Sequence, residues 1–79
     1  VSSVINKIKQ AAITVVGIDE DEIEIDTTWE DLGFDELDNV EFFMEIEEVF
    51  GIEILDKQAE DIHTIDALVD FLEVEHGIS

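Results

Sequence analysis

A chain of 79 residues that is 46% hydrophobic makes one small domain, too apolar to be disordered despite a formal charge of -20. Its 23 acidic residues against three basic ones exclude direct nucleic-acid binding and adhesion to anionic membranes, both of which need Lys and Arg to meet phosphates. The lack of cysteine excludes disulfides and thiolate metal sites.

Four helical segments are expected in chain order. The first runs from about Ser3, read as its N-cap, to Val16, with Gly17 as its stop. Val4, Ile8, Ala11, Ala12 and Val15 fall on one face of it at helical spacing. The connection from Gly17 to Phe34 is too long to be idle in a compact domain, and Ile18, Ile23, Ile25, Trp29 and Leu32 are its expected anchors. Ile23-Glu24-Ile25 alternates like a strand, but no other segment would pair with it. The second helix is expected over about Glu36 to Phe50. Asp35 is its N-cap, and Asp38 three positions on approximates a capping box. A short third helix over about Asp56 to Ile62 would bury Ala59 and Ile62. The fourth starts at Thr64 as N-cap, lines up Ile65, Leu68, Val69 and Leu72, and frays toward Gly77. The fold class is all-α: a single domain over residues 1–79, a four-helix bundle of three main helices and one short one.

The second helix carries two apolar stripes. At about 100° per residue, Phe42, Ile46, Val49 and Phe50 cluster on one side, flanked by Phe43, and are expected to be core. Leu37, Val40 and Met44 lie opposite, interleaved with Glu41, Glu47 and Glu48. A bundle helix needs one buried stripe. A second one framed by carboxylates has the make-up of a docking surface, and the flexible thioether of Met44 suits contact with several partners. The acidic field favours fast, salt-sensitive capture of basic partners.

Catalytic and metal readings are weaker. Asp19-Glu20-Asp21-Glu22-Ile23-Glu24 starts like a calcium loop but puts Ile23 at a ligand position and Glu24 where Gly is required. No specific metal site is expected; weak divalent binding at Glu30, Asp31, Asp35 and Asp38, or at Glu47 and Glu53, would do no more than relieve repulsion. His63 and His76 have no nucleophile beside them at a telling spacing, so no catalytic residue is assigned.

The run Glu30-Asp31-Leu32-Gly33-Phe34-Asp35-Glu36-Leu37-Asp38, followed by Val40-Glu41 and Met44, resembles the signature of acyl carrier proteins. Gly17-Ile18-Asp19-Glu20-Asp21-Glu22-Ile23 is similar to that family's entry loop. Glu47-Glu48 through Phe50-Gly51-Ile52-Glu53-Ile54 is similar to the exit of its second helix, and Ala59-Glu60, Ile62 and Thr64-Ile65 to its third helix and the cap of its fourth. The resemblance spans nearly the whole chain. It implies that Asp35, Leu37, Asp38, Val40, Glu41, Met44, Glu47 and Glu48 dock on basic-surfaced enzymes of acyl-chain synthesis or transfer, a phosphopantetheinyl transferase among them. It further implies that Phe42, Ile46, Phe50, Ile54, Ala59, Ile62, Leu68 and Leu72 line a pocket for an acyl chain. The family cofactor is 4'-phosphopantetheine, attached to a serine, and here that position is Glu36.

Two readings follow, and neither is an enzyme. One is a carrier module of fatty-acid or related lipid synthesis whose loading residue is replaced. The other is a non-carrying interaction or regulatory protein that occupies carrier docking sites. A monomer of the cytoplasm, or of an organelle interior, is expected, because no apolar run approaches the roughly 20 residues needed to span a bilayer and no signal-peptide pattern opens the chain.

Overall fold

A computed structural model describes residues 2–78, with side chains from residue 4 onward. It contains α1 (Ser2–Val16), α2 (Glu36–Phe50), α3 (Asp56–Ala59) and α4 (Ile65–His76), with a 3-10 turn at Glu20–Glu22. The described residues form no strand; their pairing is an isolated antiparallel bridge between Thr28 and Thr64. The all-α, four-helix architecture agrees with the sequence reading. α1 is already helical at Ser2, so Ser3 lies inside it and not at its cap.

α1 packs against α2 and α4 because its spacing leaves Val4, Ile8, Ala11 and Ala12 on one buried face. Val15 is less deeply placed and packs at the edge of that core. α4 answers with Ile65, Leu68, Val69 and Leu72, all buried, and is started by Thr64, whose hydroxyl accepts the Ala67 N–H at 3.1 Å.

The connection from α1 to α2 is held by side chains in places and by backbone in others. Ile23, Trp29 and Phe34 are buried. Ile25 departs from expectation: its side chain is exposed, and its contribution is a carbonyl that accepts the Asp66 N–H at 2.9 Å in the first turn of α4. Two hydrogen bonds from Trp29 join the connection to the same region: its backbone N–H donates to the His63 carbonyl at 3.1 Å and its indole N–H to the Ile62 carbonyl at 3.0 Å. The loop is thereby fixed across the α3–α4 turn, and it delivers the chain to the start of α2 in one position.

Two helix assignments are corrected. α3 ends at Ala59 instead of Ile62; Ile62 is buried, but as part of the turn into α4. On α2, Phe42 and Ile46 are fully buried at 0% exposure, whereas Val49 is 39% exposed and Phe50 only half-buried. Val49 borders an open groove against α1, shared with Asn6, Lys7, Gln10 and Thr14, so the inner stripe runs out before the helix does. Lys7 of α1 closes part of that gap, with its ammonium 5.8 Å from the centre of the Phe50 ring.

Candidate functional site

The site begins with the cap of α2. Asp35 is extended at the N-cap, and its Oδ1 accepts the Asp38 N–H at 2.8 Å. Asp38 returns the bond, its Oδ2 accepting the Asp35 N–H at 3.2 Å. This reciprocal box satisfies two backbone donors that a helix start leaves open, and it places both carboxylates at the positive end of the helix. Asp38 is thus half-buried and structural as well as acidic. At the far end Gly51, at φ 66°, turns the chain in the left-handed region, and Ile52 donates to the Glu47 carbonyl at 3.1 Å.

Between these ends α2 is two-faced. Phe42 and Ile46 point into the core, while Leu37, Val40 and Met44 are 65%, 53% and 59% exposed. Glu36, Glu41 and Glu48 are exposed around them. Glu47 sits differently: it is half-buried, and its Oε2 accepts the Ile54 N–H at 2.8 Å, which braces the turn that leads to α3.

Under the N-terminal turn lies an aromatic cluster with Trp29 at its centre. The Trp29 ring is 5.7 Å from Phe34, 4.8 Å from Phe42 and 6.2 Å from Phe43. Phe34, between Gly33 and the capping aspartate, went unrecognised in the sequence as core; its one clue was an aromatic residue next to the expected cap. The cluster ties the loop to α2 and holds the cap against the body of the domain.

Glu36 is the first residue of α2, exposed, and it borders a cleft of about 490 Å³ between α2 and α3. Of the eight residues that the resemblance gives as a pocket lining, Ile54, Ala59 and Ile62 line this cleft. Phe42, Ile46, Leu68 and Leu72 lie behind it in the closed core, and Phe50 stands apart near Lys7. Among the described residues no three acidic or histidine side chains form a group suited to holding a metal, so Glu30, Asp31, Asp35 and Asp38 are not gathered into one site. No helix among the described residues is long and apolar enough to cross a membrane.

A small helical bundle whose second helix is capped by Asp35 and shows a narrow apolar stripe matches the fold of phosphopantetheine-type carriers, and comparison with known proteins shows the family. The family model described as the phosphopantetheine attachment site matches residues 6–72. The chain is 43% identical over 74 residues to an acyl carrier protein of Rubrobacter xylanophilus, an alignment covering 92% of this chain and 90% of that protein. The chain belongs to the acyl carrier protein family, a family of carriers and not of enzymes, whose cofactor is 4'-phosphopantetheine.

Whether this chain's residues suit that cofactor turns on hydroxyls. At the position marked by the resemblance stands the carboxylate of Glu36. Thr28 borders a hollow shared with Asp35 and Glu36, but it lies in the loop and its hydroxyl accepts the Asp31 N–H at 3.1 Å. Thr14 is on α1, where it donates to the Gln10 carbonyl, and Thr64 caps α4. Among the described residues, no hydroxyl stands at the start of α2. The chain's donor set does not fit a phosphodiester link there.

Proposed function

We propose that this chain is a carrier-family module that docks on basic-surfaced enzymes of acyl-chain synthesis or transfer through α2, and that it carries no phosphopantetheine. The observation behind the first half is the exposed stripe of Leu37, Val40 and Met44, set among exposed carboxylates. The second half rests on Glu36. Transfer of the arm needs a hydroxyl oxygen to attack a phosphorus of coenzyme A and leave a stable phosphodiester. A carboxylate attacking the same phosphorus gives an acyl phosphate, which water cleaves. A glutamate in the first turn of a helix is favourable by about 0.3–1 kcal/mol, so the substitution costs the fold nothing.

The same exposed carboxylate supports a second reading, in which the module never carries and serves as an interaction or regulatory protein at carrier docking sites. Glu36 puts one negative charge where a loaded carrier has the charge of its phosphodiester. One experiment separates the two readings. The chain and its Glu36→Ser variant are each incubated with a phosphopantetheinyl transferase and coenzyme A and read by intact mass. The chain should gain nothing and Glu36→Ser should gain the arm, because Asp35, Leu37, Asp38 and the acidic face are in place. A mass gain with Glu36 present overturns the unloaded reading. A Glu36→Ser variant that several transferases leave unmodified favours the interaction protein.

A further inference from the structure

The first turn of a helix has no preceding turn to bond to, so Glu36 and Leu37 of α2 stand where the cap holds them. Neither has packing of its own to fix it: Leu37 is 65% exposed, and Glu36 is exposed beside it. The cap is itself held from behind. The Phe34 N–H donates to the Trp29 carbonyl at 3.0 Å and the Leu32 N–H to the same oxygen at 3.1 Å, which closes residues 29–34 into a loop ending beside Asp35. Trp29 then reaches away from the loop, with its backbone N–H on the His63 carbonyl and its indole N–H in a buried bond to the Ile62 carbonyl. Every polar group of this residue is used.

Its ring is shared out in the same way. It lies 5.7 Å from the ring of Phe34, one residue before the cap, and 4.8 Å from that of Phe42, in the body of α2. Trp29 therefore joins three parts of the molecule: the loop before the cap, the middle of α2 and the α3–α4 turn. The middle of α2 has other support, because Phe42 and Ile46 are fully buried and α1 packs along the helix. α3 supplies little support, since none of its residues is buried.

We infer that Trp29 is a positioning residue for the N-terminal end of the docking face: it sets Asp35, Glu36 and Leu37 against the α3–α4 turn, while Val40 and Met44 are placed by the body of the helix. A partner that reads Glu36 and Leu37 then meets a turn already ordered and is spared the cost of ordering it on contact. That consequence rests on the docking reading above; the placement of the turn does not.

Two changes at position 29 test this. Trp29→Phe keeps a ring and removes the indole donor. Because the chain has a single tryptophan, chemical synthesis with 3-benzothienylalanine at that position removes the donor and keeps both rings. In both forms the backbone N–H order parameters of Glu36 and Leu37, from nuclear magnetic relaxation, should fall from about 0.85 toward about 0.6, with Ile46 staying near about 0.85. A loss of stability alone would leave the order of the folded state unchanged. With Glu36→Ser added, the kcat of a phosphopantetheinyl transferase should fall about fivefold or more, with KM within about twofold, because the acceptor is displaced while Val40 and Met44 are not. Order parameters at Glu36 and Leu37 that match the parent overturn the inference, and so does a loss of order shared equally by Ile46, which would make Trp29 an ordinary core residue. Unchanged transfer kinetics overturn it as well. If no transferase loads Glu36→Ser, the loading reading fails, and the order parameters alone decide the role of Trp29.

Discussion

At the scale of single residues, neighbours in the sequence do different work at the start of α2. The Asp35 side chain accepts the Asp38 N–H at 2.8 Å and closes the cap, whereas the Glu36 side chain is exposed and makes no hydrogen bond among the described residues. Asp35→Ala should therefore cost about 1 kcal/mol of stability, and Glu36→Ala should stay within about 0.5 kcal/mol of the parent. Urea unfolding of the two variants checks this, and equal losses would mean that Glu36 supports the fold. Asp35 was legible as a cap because Asp38 follows it three residues later, a local pattern. Phe34 was not legible, since its burial depends on Trp29 and Phe42, which lie 5.7 Å and 5.4 Å away only once the loop has folded.

At the scale of elements, α2 was readable wherever its own period decides the outcome and misread where a neighbour decides it. Helical projection separated Phe42 and Ile46 from Leu37, Val40 and Met44, and the structure buries the first pair and exposes the other three. The same projection extended the inner stripe to Val49 and Phe50. Whether those are covered depends on how α1 lies along the end of α2, where Val49 borders an open groove and Phe50 meets Lys7. The cleft beside Glu36 was beyond any local pattern, because it joins Trp29, Asn39, Ile54 and His63 from three separate stretches of chain. The division of faces makes a prediction of its own. Val40→Ser and Met44→Gln should leave the unfolding midpoint almost unchanged while weakening capture by a basic carrier-binding enzyme, each by about 1 kcal/mol or more if it anchors the contact. Ile46→Ala, on the buried side, should cost about 2–5 kcal/mol of stability. Calorimetric binding and thermal unfolding of the three variants test it together. A large fall in stability from Val40→Ser would show that the outer stripe is core.

At the scale of the whole molecule, charge is segregated along the chain. Residues 1–18 contain Lys7 and Lys9 and no acid, so all 23 acidic residues lie from Asp19 onward, with Lys57 the one basic residue among them. α1 is the uncharged-to-basic slab against which α2 and α4, both acidic, are packed. That arrangement keeps the carboxylates off the buried interface, and the core contains no charged side chain. It does not cancel their repulsion, because three basic residues can offset only a small part of 23 acids. With a radius of gyration of 11.2 Å the chain holds these charges at near-minimal size, within a few Debye lengths of one another at low salt. Folding concentrates the charges and unfolding spreads them, so anything that screens them favours the folded state. Thermal unfolding followed from about 10 mM to about 150 mM sodium chloride should show a rising midpoint, with each kcal/mol recovered worth about 4–8 °C in a domain of this size. Magnesium at millimolar concentration should raise it further than sodium at the same ionic strength, since a divalent ion neutralises neighbouring carboxylates without needing a built site. A midpoint that ignores both ions would mean that the exposed carboxylates are spaced widely enough for water alone to screen them, and the field invoked for capturing basic partners would then be correspondingly weak.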